Sequence, residues 1–284
     1  MANAPSLHER RRLLTDSELA GVPWLPHLQP AERERAVPEL RVSEAEPGDL
    51  VCRFGRPATY WFGLIDGLLK MSAVTEQGRD ITYTGVTPGG WFGEGTVLKR
   101  EAYRYNIQAL RKSRVAGLPV DTFHWLLDHS IGFNRFVMNQ LNERLAQFIG
   151  ARETDRLHSP EQRVARSLAA LVNPVLFPGV GDLLRITQQE LAYLVGLSRQ
   201  RVNEALRALQ TSVAALGSGA QLNLAGGRAT VNFKRVPAET LAAWLTQARI
   251  NARALPTDAR LNLDAGTAGD ARWSGTVVLG LPER

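Results

Sequence analysis

Apolar and polar positions change rhythm several times along this chain. Between about Leu40 and Pro119, short apolar runs are cut off from one another by glycine and proline. The runs are Tyr60-Trp61-Phe62-Gly63-Leu64-Ile65, Leu68-Leu69-Lys70-Met71, Ile81-Thr82-Tyr83-Thr84 and Ile107-Gln108-Ala109-Leu110; the breaks are Pro47-Gly48-Asp49, Gly55, Gly67, Gly78, Gly85 and Pro88-Gly89-Gly90. β-rich runs recurring about every ten residues predict an antiparallel sandwich or roll. From Val120 to about Arg156 there is no proline, and Phe133, Phe136, Val137, Leu141, Leu145 and Phe148 recur at helical spacing. That apolar stripe needs a partner, either its own domain or the same helix of a two-fold mate.

A third region, His158 to Gln210, reopens with Ser159-Pro160-Glu161, a helix start with Ser159 as cap and Pro160 in the first turn. Its sharpest stretch runs from Thr187 to Leu209. Thr187 with Glu190 makes a capping box, and Leu191, Leu194 and Val195 give a first helix its apolar face. Gly196 permits a turn, Leu197 plugs the angle between helices, Ser198 caps a second helix, and Val202, Ala205, Leu206 and Leu209 form its buried face. The exposed leading edge is then Arg199, Gln200, Arg201 and Asn203. Arginine can fork onto guanine O6 and N7, and Gln or Asn can pair with adenine, so this edge suits the DNA major groove. An ordinary helical hairpin with solvent-facing arginines is the alternative. A hairpin that reads DNA would draw its phosphate contacts partly from flanking positions such as Arg163, Arg166 and Arg185.

The ends carry less pattern. Residues 1–36 read as a charged, partly helical lead-in. Beyond Thr211 the texture is rich in alanine, glycine and threonine, with Leu241-Ala242-Ala243-Trp244-Leu245 as its obvious helical fragment; 236–284 read as an atypical extension, of which 246–284 are expected to be peripheral or poorly ordered.

Composition narrows the function classes. A chain of 284 residues suggests two domains, and 44% hydrophobic with 22% charged residues excludes wholesale disorder. The 34 Lys and Arg against 28 Asp and Glu give a net +6, compatible with a polyanionic partner. One cysteine, Cys52, excludes an intramolecular disulfide framework or a cluster held by several thiolates of one chain. The five histidines His8, His27, His124, His129 and His158 form no metal or haem motif, no nucleophile or dinucleotide fingerprint occurs, and neither a secretory start nor a membrane-length apolar run is present. The expectation is a cytoplasmic protein that is not an enzyme, has no metal site and does not enter a membrane.

Two separate regions resemble the Crp/Fnr family of bacterial transcription regulators. In the C-terminal part the likeness lies in Ile186-Thr187-Gln188-Gln189-Glu190-Leu191 and Gly196-Leu197-Ser198-Arg199-Gln200-Arg201-Val202. In the N-terminal part it lies in Pro47-Gly48-Asp49, the run Tyr60 to Lys70, Gly78-Arg79, and Pro88-Gly89-Gly90-Trp91-Phe92-Gly93-Glu94. The resemblance covers about residues 40 to 210. It implies an α+β protein: an antiparallel β-roll (double-stranded β-helix) of the cyclic-nucleotide-binding type over 37–122, a long dimerisation helix over 123–156 and a winged helix-turn-helix over 157–235. It also implies a homodimer on near-palindromic double-stranded DNA, with RNA polymerase as a further partner. By position, Arg199, Gln200 and Glu204 fall where the family places base-reading side chains, while a wing around Gly226-Gly227 would bring Arg228 near phosphate.

The effector pocket departs from the family pattern. Gly93-Glu94-Gly95-Thr96 preserves the element that meets a cyclic nucleotide's ribose and phosphate. Counting back from Val115-Ala116-Gly117-Leu118, however, the clamping Arg-Ser or Arg-Thr pair falls on Tyr103 and Arg104. One residue on a strand changes the face, so Arg104 is not an equivalent arginine. A loop slip, or Arg100 or Arg111, could restore a cation; alternatively Glu94 and Arg104 form a structural pair. This disfavours cyclic AMP and leaves open an unidentified small effector or none. The competing function is a ligand-binding or protein-interaction module whose hairpin has lost DNA reading.

Overall fold

The computed structural model describes residues 11–74, 77–78, 80–154, 160–181, 183–214, 220–225, 228–252, 255–264 and 272–280. The chain divides into two compact units, 1–145 with 171–184, and 146–170 with 185–284. Its class is α+β.

The first unit begins with two short helices, α1 (Asp16–Ala20) and α2 (Pro30–Ala36). Thr15 caps α1 in a reciprocal box with Glu18, and both terminal nitrogens of Arg12 donate to the Glu18 carboxylate at 2.7 Å. Eight strands follow: β1 (Arg41–Ala45), β2 (Leu50–Cys52), β3 (Tyr60–Asp66), β4 (Leu69–Val74), β5 (Asp80–Val86), β6 (Trp91–Phe92), β7 (Asn106–Ala109) and β8 (Ser113–Pro119). Helix α3 (Glu94–Lys99) lies between β6 and β7. They form two antiparallel four-stranded sheets, ordered β1-β8-β3-β6 and β2-β7-β4-β5. Leu64, Phe92 and Val115 of one sheet and Leu69, Val86 and Ile107 of the other share a single buried cluster. Among the described residues no strand pairing joins the two sheets, so the expected roll is a pair of sheets packed across a common core rather than a closed barrel.

The lead-in is part of this core. Trp24 is fully buried and meets Trp91 edge-on at 5.3 Å and Phe133 at 5.5 Å, while Trp61 lies 4.6 Å from Trp91. Gly63 makes the crowding possible: a Cβ there would sit 2.3 Å from the Trp91 ring. Two helices close the unit, α4 (Val120–His129) and α5 (Ile131–Thr154, whose residues from Ala146 on belong to the second unit). Ser130 separates them and donates to Glu32 of α2 at 2.7 Å.

Helix α5 does not present the six-residue stripe to a partner as a whole. Phe133 and Val137 are buried in the core of their own chain, and Phe136 and Leu141 pack against it. Leu145 and Phe148 are exposed. Phe133 and Val137 therefore cannot be dimer contacts: at 100° per residue they lie on a face already occupied. The loop after Leu171 is fixed to this unit by Gln140 Nε2 donating to the Val175 carbonyl (2.7 Å), Asn173 Nδ2 donating to Glu143 (2.7 Å) and Thr87 Oγ1 donating to the Leu171 carbonyl (2.9 Å).

The second unit contains α6 (Pro160–Leu171, whose last residue belongs to the first unit), α7 (Gln188–Val195) and α8 (Arg199–Ala214). Then come β9 (Gln221–Ala225), β10 (Arg228–Pro237), α9 (Ala238–Ala252), β11 (Leu255–Asp264) and β12 (Arg272–Gly280). Val164 of α6, Leu191, Ala192 and Val195 of α7, and Val202 and Ala205 of α8 make its helical core. The four strands form one antiparallel sheet ordered β11-β12-β10-β9, with Val231, Phe233, Val236 and Val277 buried together with Leu241 of α9. The extension after 236 is thus a helix and two long strands, where the sequence offers only a helical fragment. Its inner strand β12 holds Gly275, where a Cβ would lie 1.9 Å from the Arg260 carbonyl oxygen. That close approach puts a glycine in the middle of a strand and breaks the apolar alternation a reader looks for.

Candidate nucleic-acid interface and effector site

The helical hairpin is assembled by local chemistry. Thr187 Oγ1 accepts from the Glu190 N–H at 3.2 Å, and Glu190 returns the bond by accepting from the Thr187 N–H at 2.7 Å. Helix α7 ends at Gly196, whose φ of +63° is the left-handed region that favours glycine. Ser198 Oγ then accepts from the Arg201 N–H at 3.2 Å and starts α8. Leu197 packs, partly buried, against the helical core between them. Arg163 of α6 donates to the Val195 carbonyl at 2.6 Å, so this arginine braces the end of α7.

With Val202 and Ala205 buried, Arg199, Gln200, Arg201 and Glu204 are left on the open face. Gln200 Nε2 donates to Glu204 Oε1 at 3.0 Å, linking the first and second exposed turns. Asn203 is half-buried and accepts from Gln188 Nε2 at 3.3 Å, so it ties the two helices together at the edge of that face. Two guanidiniums and an amide at the N-terminus of a helix form a cationic, hydrogen-bonding edge suited to a polyanion carrying base acceptors. The Arg228 side chain, Gly226-Gly227, Ser159, His8 and His158 lie outside the described residues.

Of the residues expected to form an effector pocket, Gly93, Glu94, Gly95 and Thr96 lie at the start of α3. Gly93, at φ +88°, turns the chain into the helix, and Glu94 is only 2% exposed. Its partner is Arg144 of α5: Nε donates to Glu94 Oε1 at 2.5 Å, and Nη2 donates to the Trp91 carbonyl. Glu94 Oε2 has no hydrogen-bond partner among the described residues. Tyr103 is buried, donates to the Tyr60 carbonyl at 3.1 Å and contacts Cys52. Burial pushes the Cys52 thiol up to about 12 and holds the Tyr103 and Tyr105 phenols well above their ordinary range. Arg104 points to solvent and pairs with Glu101 at 3.1 Å, so a Glu94–Arg104 pair does not exist. Arg100 pairs with Asp121 at 2.9 Å, and Arg111 reaches the Gly67 carbonyl at 3.4 Å. The cation beside Glu94 is one that linear reading misses, because it arrives from fifty residues away on another element. Thr96 and Gly95 follow on the first turn of α3, where no heavy atom lies within 4 Å of a Cβ built at Gly95.

Two family models match the chain, a cyclic nucleotide-binding domain over residues 42–130 and a Crp-like helix-turn-helix domain over 162–214. The chain has the domain architecture of the Crp/Fnr family, a cyclic nucleotide-binding domain followed by a Crp-like helix-turn-helix. Among curated proteins it is similar to the transcriptional regulator SdrP of Thermus thermophilus, 29% identical over 151 residues, which is 51% of this chain and 69% of that protein. It is also similar to a cAMP-dependent protein kinase regulatory subunit of Schizosaccharomyces pombe, 27% identical over 126 residues, covering 44% of this chain and spanning 30% of that subunit. Among solved structures, the Thermus thermophilus catabolite activator protein superposes with a TM-score of 0.42 at 22% identity, over 75% of this chain and 93% of that one. In this Crp/Fnr chain no described group of three or more His, Cys, Asp or Glu residues could hold a metal ion. No described helix is long and apolar enough to cross a membrane.

Proposed function

We propose that the protein is a cytoplasmic transcription regulator, not an enzyme, that reads double-stranded promoter DNA in a sequence-specific manner by placing the start of α8 in the major groove. The observation that carries this reading is the exposed set Arg199, Gln200 and Arg201 directly after the Ser198 cap, on a helix whose opposite side buries Val202 and Ala205. The sandwich of 37–122 plays the part of the family's sensor roll, and β9 with β10 that of the wing, extended by a further helix and two strands. Thr187 and Ser198 act by fixing the two helix starts, and Glu204 accepts from cytosine N4.

A single such helix reads only a few base pairs, so near-palindromic sites require a homodimer. Its seam is the outward stripe of α5, where Met138, Leu145 and Ile149 recur at spacings of seven and four residues; Leu145 belongs to the sequence-based set, and exposed Phe148 of that set flanks the stripe. RNA polymerase is the partner such a regulator would recruit or block. In the sensor, Arg144 sits against the glutamate that the family offers to a cyclic nucleotide, while Tyr103 and Arg104 supply no inward guanidinium. The pocket therefore disfavours cyclic AMP, and a small effector of other chemistry would have to displace or bridge Arg144.

Replacing Arg199 by alanine tests the reading. A forked contact to guanine predicts a loss of about 1 to 3 kcal/mol per half-site and relaxed preference at one symmetric pair of positions. A phosphate contact predicts uniform weakening of all duplexes and a salt slope smaller by about one counterion. Binding of wild type and variant to a selected site and its single-base variants, at several salt concentrations, separates these. Unchanged affinity and preference in a folded variant would sink the DNA reading in favour of a module that has lost it.

A further inference from the structure

In the C-terminal sheet the order β11-β12-β10-β9 leaves two edges, and β11 is the longer of the two outer strands. It pairs with β12 along one side, Leu255 opposite Gly280 through Asp264 opposite Arg272, and no described strand pairs with its other side. Every residue from Asp258 to Leu263 is exposed, including Leu261 at 39% and Leu263 at 60%. The register shows what these leucines extend. Leu261 lies opposite Gly275, which lies opposite Phe233; Leu263 lies opposite Trp273, which lies opposite Val236. The two leucines therefore continue the face that α9 covers with Leu241 and Trp244, out to a strand that remains open. Arg260, Asn262 and Asp264 occupy the other face, where Ser274 donates to the Asp264 carboxylate at 2.5 Å.

A long open edge carrying apolar side chains is a template for strand addition unless it is defended. Here the charges Asp258, Arg260 and Asp264 are of both signs, and the backbone defences sit at one end, where Pro256 offers no N–H and a bulge separates Pro256 from Asp258. The regular stretch beyond them is self-complementary. A two-fold axis normal to the sheet places residues of equal parity opposite one another. Centred on Arg260 it opposes two arginines, and centred on Leu261 it opposes Asp258 to Asp264. Centred on Ala259 it forces Pro256 and the bulge into the ladder. Centred on Asn262 it opposes Leu261 to Leu263 twice on the apolar face and Arg260 to Asp264 twice on the polar face.

We propose that β11 is a homotypic interface: a second copy of this chain adds its own β11 antiparallel across a two-fold axis at Asn262, joining two four-stranded sheets edge to edge. This contact is independent of the α5 seam, and a chain with two such isologous surfaces associates beyond the dimer.

The test is a cysteine placed on the axis of the full-length protein. In Asn262→Cys the two thiols belong to directly opposed residues, about 4.5 to 5.5 Å apart at Cα, within reach of a disulfide. In Asp258→Cys the same register separates them by eight residue steps, roughly 27 Å. The natural Cys52 is buried with its thiol pushed up to about 12 and does not compete. Under mild oxidation Asn262→Cys should give a covalent dimer at least about tenfold faster than Asp258→Cys, because pairing makes the reaction effectively intramolecular. Adding Arg260→Asp should abolish that advantage by opposing two aspartates twice. Adding Leu263→Lys, which leaves the Ser274–Asp264 contact alone, should do the same if the first variant fails to fold by circular dichroism. The advantage should persist when Leu145→Asp breaks the α5 seam. Equal rates for the two cysteine variants, or an advantage unaffected by both charge insertions, would overturn the proposal; capture of another polypeptide on this edge appears as the first of these.

Discussion

Arg144→Met is the most informative single change in the first unit, because it removes a cation without removing bulk. The wild-type guanidinium donates to Glu94 and to the Trp91 carbonyl, with Glu94 2% and Arg144 22% exposed as side chains. Losing one partner of a buried pair costs about 3 to 5 kcal/mol, since the remaining charge is left in a low-dielectric site. The partial exposure of Arg144 lets water approach, which places the expectation at the lower end, about 3 kcal/mol. Glu94→Gln should cost less, about 1 to 2 kcal/mol, because the amide oxygen still accepts from Arg144 and the arginine can turn to solvent. The double variant buries no unpaired charge, so it should be more stable than the sum of the singles by about 1 to 2 kcal/mol.

Guanidinium unfolding followed by tryptophan fluorescence reads this directly, since Trp24, Trp61 and Trp91 form the buried cluster beside the pair. Arg144→Met within about 0.5 kcal/mol of wild type, or a coupling energy below that, would refute the claim that this ion pair anchors α5 to the sensor.

Other outcomes follow from the same geometry. The Glu18 carboxyl is held down to about 2, chiefly by the Arg12 hydrogen bond, so its folded value lies below its unfolded one. The stability it contributes is present above the ordinary carboxylate range and is lost as pH falls toward 2. After allowance for the half-exposed Arg12 this is about 2 kcal/mol, and Glu18→Gln should flatten the stability profile between pH 5 and 2 by that amount. Gly63→Ala puts a Cβ 2.3 Å from the Trp91 ring and should destabilise the first unit by about 1 to 3 kcal/mol, measured by the same unfolding. Leu145→Asp should raise the monomer fraction in sedimentation at micromolar concentration and weaken binding to palindromes in parallel. Each buried leucine contributes roughly 1.5 to 3 kcal/mol and the two-fold axis counts it twice.

What could be read from the sequence is what is decided over short distances. Thr187, Glu190, Gly196 and Ser198 make their bonds within four residues of themselves, so spacing alone places them, and the edge Arg199 to Arg201 follows. The strands between Leu40 and Pro119 are marked by glycines that turn the chain, but their division into two sheets depends on pairings such as β1 with β8, which no local pattern encodes. The effector site fails for the same reason. Parity correctly turns Arg104 away once Tyr103 points inward, yet the cation that does meet Glu94 comes from α5, and nothing near residue 94 announces it. Asn203, assigned to the reading edge by its chemistry, is drawn to Gln188 because the hairpin packs that side.

Helix α5 shows why one apolar stripe was read where there are two. With Phe133 at 0° and 100° per residue, Val137, Gln140 and Arg144 fall within about 40° of it, and this is the face that is buried or bonded to the first unit. Ile131, Met138, Leu145 and Ile149 fall roughly 120 to 160° away and are exposed. Leu141 and Phe148 lie between the two sets, so a list of apolar residues at helical spacing merges them into a single band. A helix that is apolar on two faces has little net amphipathicity, and such a helix serves two partners. The inner face is committed to the sensor through Arg144 and Glu94; the outer face is what a two-fold mate would meet. A ligand that competed for Glu94 would therefore act on the inner face of α5, the helix whose outer face we propose as the seam.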